Sequence, residues 1–421
     1  MENWSNKWLG PPPGTVAVRK DGMGQLKRLP VADTPLDHIY QRVKTIDDGK
    51  GGLGGMNAGV YIVRKRNDVV PLFYVEKRYR SDNINLVNLF REEIGYMRRL
   101  MHSGIVQYVQ AYIRLQPPYE ASAYMEYCDR GSLKDMIQIY SNQKKLGNDD
   151  YIPESFIWHA FLGMADVLYF LKTGQSFISV ELQKNDPRNW KPIIHCDIKP
   201  DRDTHSAPPL TPNPDIFLRS RDTPNSPKPP YVLLSDFGVA CREDDAAAAG
   251  SSHRHHHHHH HHHRPPAPAA LPCAATGTME YHAPELCFDP CPTPHQANQQ
   301  QASPHTSRSD IGSLALVLYC LCERSHFPHI DPRCLPLRTP AALGRAARPA
   351  RLDLSARGVY SDYLARTIEW AGARDPGGRP DAPQLIEGVQ RQCRLWRGDP
   401  NWQAQVAEGL PPWAAPKRTA T

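Results

Sequence analysis

A set of short polar motifs in one fixed order constrains this 421-residue chain more tightly than its composition does. GKGGLGGMNAG at residues 49–59 precedes the strand-like VYIVRK, and glycines let a loop press its backbone N–H groups against phosphate oxygens. Lys77 ends the next strand-like run, YVEK. Sixteen residues on, Glu93 lies in an amphipathic helical pattern, where its carboxylate can hold that ammonium toward a phosphate. HCD at 195–197, followed by Lys199, offers a carboxylate to accept a hydroxyl proton and a cation to neutralise a transferring phosphoryl group. Asp236, in LLSDFG, follows a short apolar run and suits a Mg²⁺ ion bridging nucleotide phosphates. APE at 283–285, SDIGSLALVLYCL at 309–321 with Asp310 near its start, and Arg379 in DPGGRP complete the series. Asp310 reads as a buried acceptor for loop N–H groups and Arg379 as the partner of Glu285. Taken singly, the glycines make a flexible turn and Lys77 or Glu93 a surface charge. The order of the whole set has no such explanation.

Composition sets the frame. With 40% hydrophobic and 22% charged residues the chain is globular and long enough for one two-lobed domain or two ordinary ones. A net charge of +6, spread along the chain, argues against nucleic acid as a partner. The ten cysteines fall at irregular spacings without paired CxxC units, as expected of reduced thiols in a cytoplasmic or nuclear protein. MENWSNKWLG lacks the apolar core of a signal peptide, and SLALVLYCLC at 313–322 is too short to span a bilayer, so no membrane association is expected.

Forty-one prolines divide the chain unevenly. Residues 1–37 read as an irregular leader, and 202–214 and 244–272 as insertions rich in Pro, Ala and His without apolar period. Between them Leu86, Leu89, Phe90, Ile94, Met97 and Leu100 recur at helical spacing, and Pro153 opens a second helix. Residues 61–64 and 72–77 form β-rich runs around a polar turn, as in a hairpin. Strands therefore dominate early and helices later.

The ordered motifs resemble the eukaryotic protein kinase superfamily over about residues 38–395. The resemblance implies an α+β, two-lobed fold: a β-rich N-lobe over 38–128, a helical C-lobe over 129–395, and a tail from 396 to 421. It implies ATP under Gly49, Gly51 and Gly54, with Lys77 on its phosphates held by Glu93. Asp197 and Lys199 become the catalytic pair and Asp236 a ligand of Mg²⁺. Lys199 two residues after Asp197, and GTMEYHAPE with Thr278, resemble the serine/threonine branch acting on protein substrates. MEYCDRGSL at 125–133 is similar to the hinge of NIMA-related and allied fungal kinases, with Met125 as gatekeeper and the backbone of Glu126 and Cys128 facing adenine.

Several positions depart from the pattern. Cys196 stands where many members carry an arginine that pairs with an activation-loop phosphate, which predicts a regulatory change and leaves the chemistry standing. Arg202 falls where the family places a metal-ligating asparagine. If 202–214 is an insertion, Asp215 takes that place directly before the strand IFL; Asn213 is the weaker choice because Pro214 follows it, and unspliced sequence explains the insertion equally well. The nine histidines of 255–263 read as a repeat expansion in a tolerant loop, with Zn²⁺ or Ni²⁺ binding as the rival. Gly312 and Ala315 replace the usual tryptophan and glycine, which predicts looser packing under the catalytic loop, and either Met56 or Val60 covers the adenine. These departures keep a second reading open, a pseudokinase that binds nucleotide or scaffolds other proteins.

Overall fold

Local sequence periods place most elements of this computed structural model, which describes residues 29–49, 57–68, 72–148, 150–178, 187–200, 215–220, 229–245, 278, 281–286, 305–326, 359–373, 375–407 and 410. Gly51, Gly54, Met56, Arg202, Asn213, the histidine run and the CFDPC motif lie outside the described residues. In chain order the elements are β1 (Val31–Ala32), β2 (Tyr40–Asp47), β3 (Asn57–Lys65), β4 (Phe73–Ser81), α1 (Ile84–Arg99), β5 (Tyr108–Arg114), β6 (Tyr119–Glu126) and α2 (Leu133–Lys145). There follow α3 (Glu154–Thr173), β7 (Ile193–Ile194), β8 (Ile216–Arg219), β9 (Tyr231–Leu234), β10 (Cys241–Arg242), α4 (Ser307–Glu323), α5 (Asp362–Ala371), α6 (Ala382–Gly398) and α7 (Gln403–Ala407). They fall into two units, one of Met1–Asn148, Pro200–Gly238 and Gly409–Thr421, the other of Asp149–Lys199 and Val239–Glu408.

The first unit is built on a six-stranded sheet in the order β1-β5-β6-β4-β3-β2. The expected hairpin is β3 and β4, antiparallel, with Val60 opposite Lys77. Side chains alternate across a strand, so β4 sends Tyr74 and Glu76 to one face and Lys77 and Tyr79 to the other. On the first face Tyr74 joins a buried cluster with Tyr40, Tyr61, Tyr112 and Tyr124, in which Tyr40 and Tyr124 stack at 4.1 Å. Against the second face lies α1, whose buried stripe of Val87, Phe90, Ile94 and Met97 has helical spacing. Asn83 caps this helix, its side chain accepting from the Asn85 N–H. Strands β8 and β9 form a separate antiparallel pair in which Ile216 faces Leu234.

The second unit is helical. The apolar run expected to be buried all round is α4, whose residues from Ser309 to Glu323 are all buried. Helix α3 packs on α4 and α6, with Trp158 6.2 Å from Trp396. Pro153 is the N-cap of α3, one place before the first-turn position the sequence suggested, so the first helical residue is Glu154. Burial raises the Glu154 carboxyl above its usual value, although it accepts from the Trp158 indole at 3.0 Å, the Ser361 N–H at 2.8 Å and the Ser361 hydroxyl. Among the described residues no helix is long and apolar enough to cross a membrane.

Glu154→Ala would leave those buried donors without their acceptor. We expect it to destabilise the second unit by about 2–4 kcal/mol in urea unfolding, and Glu154→Gln to lose less because it keeps an oxygen. A loss below about 1 kcal/mol for the alanine variant would mean that water reaches the donors.

Candidate active site

In the first unit the chemistry gathers on one face of β4. Lys77, 8% exposed, donates to Glu93 Oε1 and to Asp236 Oδ1, each at 2.9 Å. Glu93 lies on the buried stripe of α1 beside Phe90 and Ile94, which is why a carboxylate in that helix meets the sheet at all. Its second oxygen accepts from the Tyr79 hydroxyl at 2.8 Å. Tyr79 was absent from the residues read from sequence, although a period of two puts it on the same face as Lys77. Burial works to lower the Lys77 pKa, but Asp236 and Glu93 outweigh it and hold the ammonium well above its usual value. Asp236 itself has left-handed backbone (φ 61°), a conformation that aspartate tolerates better than most residues. At Gly238 a Cβ would sit 3.2 Å from Asp236 Oδ1 and 3.3 Å from Glu93 Oε2, so the glycine of DFG leaves room for both carboxylates.

The β8/β9 pair ties the backbone of a second aspartate to the residue before Asp236. Asp215 directly precedes Ile216, the Ser235 N–H donates to its carbonyl at 2.7 Å, and the residue after Ser235 is Asp236. Asp215 is fully buried. At the edge of the Gly-rich loop, Gly49 takes φ 72° and its N–H donates to Asp47 Oδ1 at 3.0 Å, the positive φ being the reason for a glycine there. Of the two residues considered as adenine cover, Val60 is buried on β3 opposite Lys77.

The end of β6 holds an ion pair that no sequence motif marks. The Glu126 N–H donates to the Gln107 carbonyl at 2.9 Å, and the Gln107 N–H donates to Glu126 Oε1 at 2.9 Å. Arg219 at the end of β8 donates to Glu126 Oε2 at 2.6 Å, with the two side chains 4% and 0% exposed. The Glu126 N–H and both carboxylate oxygens are thus committed within the fold. Met125 and Cys128 are both buried. A single charge at the end of the run IFLR gives no sequence signal of such a distant partner.

In the second unit Asp310 organises the HCD loop as expected, accepting from the His195 N–H at 2.6 Å and the Cys196 N–H at 3.0 Å. This clamp holds Cys196 in left-handed backbone (φ 68°). Asp197 next to it accepts from Lys199 on one oxygen and from the Thr278 N–H at 2.5 Å on the other. Burial pushes the Asp310 carboxyl up to about 7 against the pull of the two N–H donors, with Glu243 and Asp197 adding repulsion. Arg379 pairs with Glu285 through both terminal nitrogens, at 2.7 and 2.6 Å, as the sequence implied. The looser packing expected at Gly312 is not found. A Cβ there would lie 3.0 Å from Arg379 Nη1 and 3.2 Å from the Ala283 Cβ, because the guanidinium of Arg379 fills the space beside the helix.

Sheet, helical unit, motif order and the Lys77 cluster together point to one class, and the protein kinase domain family model matches residues 40–387; the chain belongs to the protein kinase family. Among curated relatives it is similar to the G2-specific protein kinase nim-1 of Neurospora crassa, 23% identical over 82% of this chain and 32% of that protein. It is also similar to the G2-specific protein kinase fin1 of Schizosaccharomyces pombe, 25% identical over 63% and 29%, and to nimA of Emericella nidulans, 24% identical over 77% and 38%. The chain spans about a third of the length of these relatives.

Two outcomes follow from the geometry. Arg219→Leu leaves Glu126 buried without its cation and should lower the stability of the first unit by about 3–5 kcal/mol, whereas the double variant Glu126→Leu/Arg219→Leu should recover most of that loss. Chemical denaturation of the four forms checks it, and additive losses would show that the pair is uncoupled. The folded pKa of Asp310 lies above its unfolded value, so its share of stability is largest below about pH 4 and is lost as pH rises through 7. A ¹³C carboxyl titration should place its midpoint near neutrality; a midpoint near 4 contradicts the burial argument.

Proposed function

We propose that the chain is a protein serine/threonine kinase that transfers the γ-phosphoryl of ATP to a Ser or Thr hydroxyl of a protein substrate, in the cytoplasm or nucleus. The observation that carries this is the Lys77 ammonium held between Glu93 and Asp236, which fixes one cation and one carboxylate at defined positions for a triphosphate. Asp236 and Asp215 supply the carboxylate oxygens that a hard divalent cation such as Mg²⁺ takes as ligands. Bound there, the cation would neutralise charge on the phosphate oxygens. Lys77 supports the phosphates while Gly49, Gly51 and Gly54 cover them, and the Glu126 carbonyl and Cys128 backbone meet the base.

Asp197 orients the acceptor hydroxyl and takes up its proton. Lys199 and the Thr278 N–H each engage one of its oxygens, which fixes the carboxylate plane while every oxygen keeps a second lone pair for substrate. Lys199 then also steadies the transferring group. Positioning and electrostatics of this kind supply most of the rate in phosphoryl transfer. Lys199 and Thr278 support the serine/threonine assignment, and the similarity to G2-specific protein kinases supports the kinase reading.

The test is Mg²⁺-dependent ATP binding and ³²P transfer to a generic basic protein, using the full chain and a form lacking residues 202–214. Asp197→Asn should keep ATP binding and lose transfer by roughly 10²–10⁴-fold. Transfer by the shortened form alone would mean that the insertion blocks the site. If neither form binds ATP with Mg²⁺, the enzyme reading fails and the pseudokinase reading takes its place.

A further inference from the structure

The loop that carries Asp197 also carries a thiol facing another. Cys196 Sγ lies 3.6 Å from Cys241 Sγ, and the two residues are 3% and 9% exposed. Their approach is built into the chain. Strand β10 pairs antiparallel with β7 so that Cys241 faces Ile194, and Cys196 lies two residues past Ile194. The left-handed turn at Cys196, held by its N–H bond to Asp310, folds its sulfur back to 3.7 Å from the Ile194 carbonyl. Ile194 and Val239 pack around the two sulfurs.

We propose that Cys196 and Cys241 are a redox modification site, closing under peroxide into a reversible disulfide that ties the HCD loop to the strand after DFG. The sulfurs need only come together from contact distance to the about 2.05 Å of an S–S bond. Cys241 is the more exposed and meets the oxidant first. Cys241 gives up its thiol proton, its thiolate attacks hydrogen peroxide, the O–O bond breaks, the departing hydroxide takes that proton and leaves as water, and a sulfenic acid forms. The Cys196 sulfur then attacks the sulfenyl sulfur, the S–O bond breaks, and the departing hydroxide leaves as water with the Cys196 proton. In sum two thiols and one hydrogen peroxide give one disulfide and two waters. Burial raises the thiols of Cys320 and Cys322 well above their usual value, and what sets Cys196 and Cys241 apart is the contact between their sulfurs. The bond would fix the residue directly before Asp197, so oxidation holds the loop in one geometry. Formation of the bond is independent of the proposed kinase activity; the effect on rate rests on it.

The experiment treats the full chain with hydrogen peroxide, blocks remaining thiols with iodoacetamide, digests it without reductant and maps the peptides by mass spectrometry. A linked pair containing Cys196 and Cys241, lighter by two hydrogens and released by dithiothreitol, is the expected result. Sulfinic acid on Cys241 with Cys196 still alkylated, or a cross-link to a different cysteine, would overturn the proposal. ³²P transfer should fall at least tenfold on oxidation and recover with dithiothreitol, while Cys241→Ser, or Cys241→Ala should the serine variant fold poorly, should resist peroxide. A linked pair with unchanged transfer would overturn the regulatory consequence. Absence of transfer before any oxidation sinks the kinase reading, and the peptide map still decides the disulfide.

Discussion

A buried ammonium needs anionic neighbours, and Lys77 takes two of them from elements far apart in the chain. Glu93 comes from α1 and Asp236 from the turn after β9, so one cation ties sheet, helix and DFG turn into the first unit. Removing two carboxylates and an amine from water is costly unless each charge is paired and hydrogen-bonded. Here Tyr79 completes Glu93, and Gly238 keeps the space beside both carboxylates clear. The arrangement that stabilises the unit therefore also fixes one cation and two carboxylates at defined positions.

The second unit uses the reverse device, a buried anion that organises backbone donors. Asp310 takes the His195 and Cys196 N–H groups and so sets the path of the loop that ends in Asp197. Its carboxyl resists ionisation because it is buried, yet two N–H groups point at it, which ties the shape of the loop to its protonation state. The Arg379–Glu285 pair anchors the APE segment to the same helical unit, and the missing side chain at Gly312 is what lets the guanidinium approach α4. An absence that read as a packing defect is thus occupied by a neighbouring residue.

Motif order located Lys77, Glu93, Asp197, Lys199, Asp236, Asp310, Glu285 and Arg379 because each sits at a spacing fixed by a strand, a turn or a helix. Helical period placed Glu93 among Phe90, Ile94 and Met97, and strand period placed Lys77. Strands β8 and β9 pair so that Asp215, directly before Ile216, accepts the Ser235 N–H on its carbonyl. What escaped the sequence was long-range pairing without a motif. Arg219 meets Glu126 across 93 residues and Cys196 meets Cys241 across 45, and neither residue type nor local period marks them as partners.

The sequence by itself determined the family, the early strands and later helices, and the chemical identity of the groups gathered around Lys77 and Asp197, because those depend on local period and on residue types in a fixed order. Tertiary structure alone decided what holds the Glu126 N–H and carboxylate, what fills the space at Gly312, and which thiol lies against Cys196. Each of these depends on burial and on the approach of distant segments, where desolvation selects partners that no local pattern records.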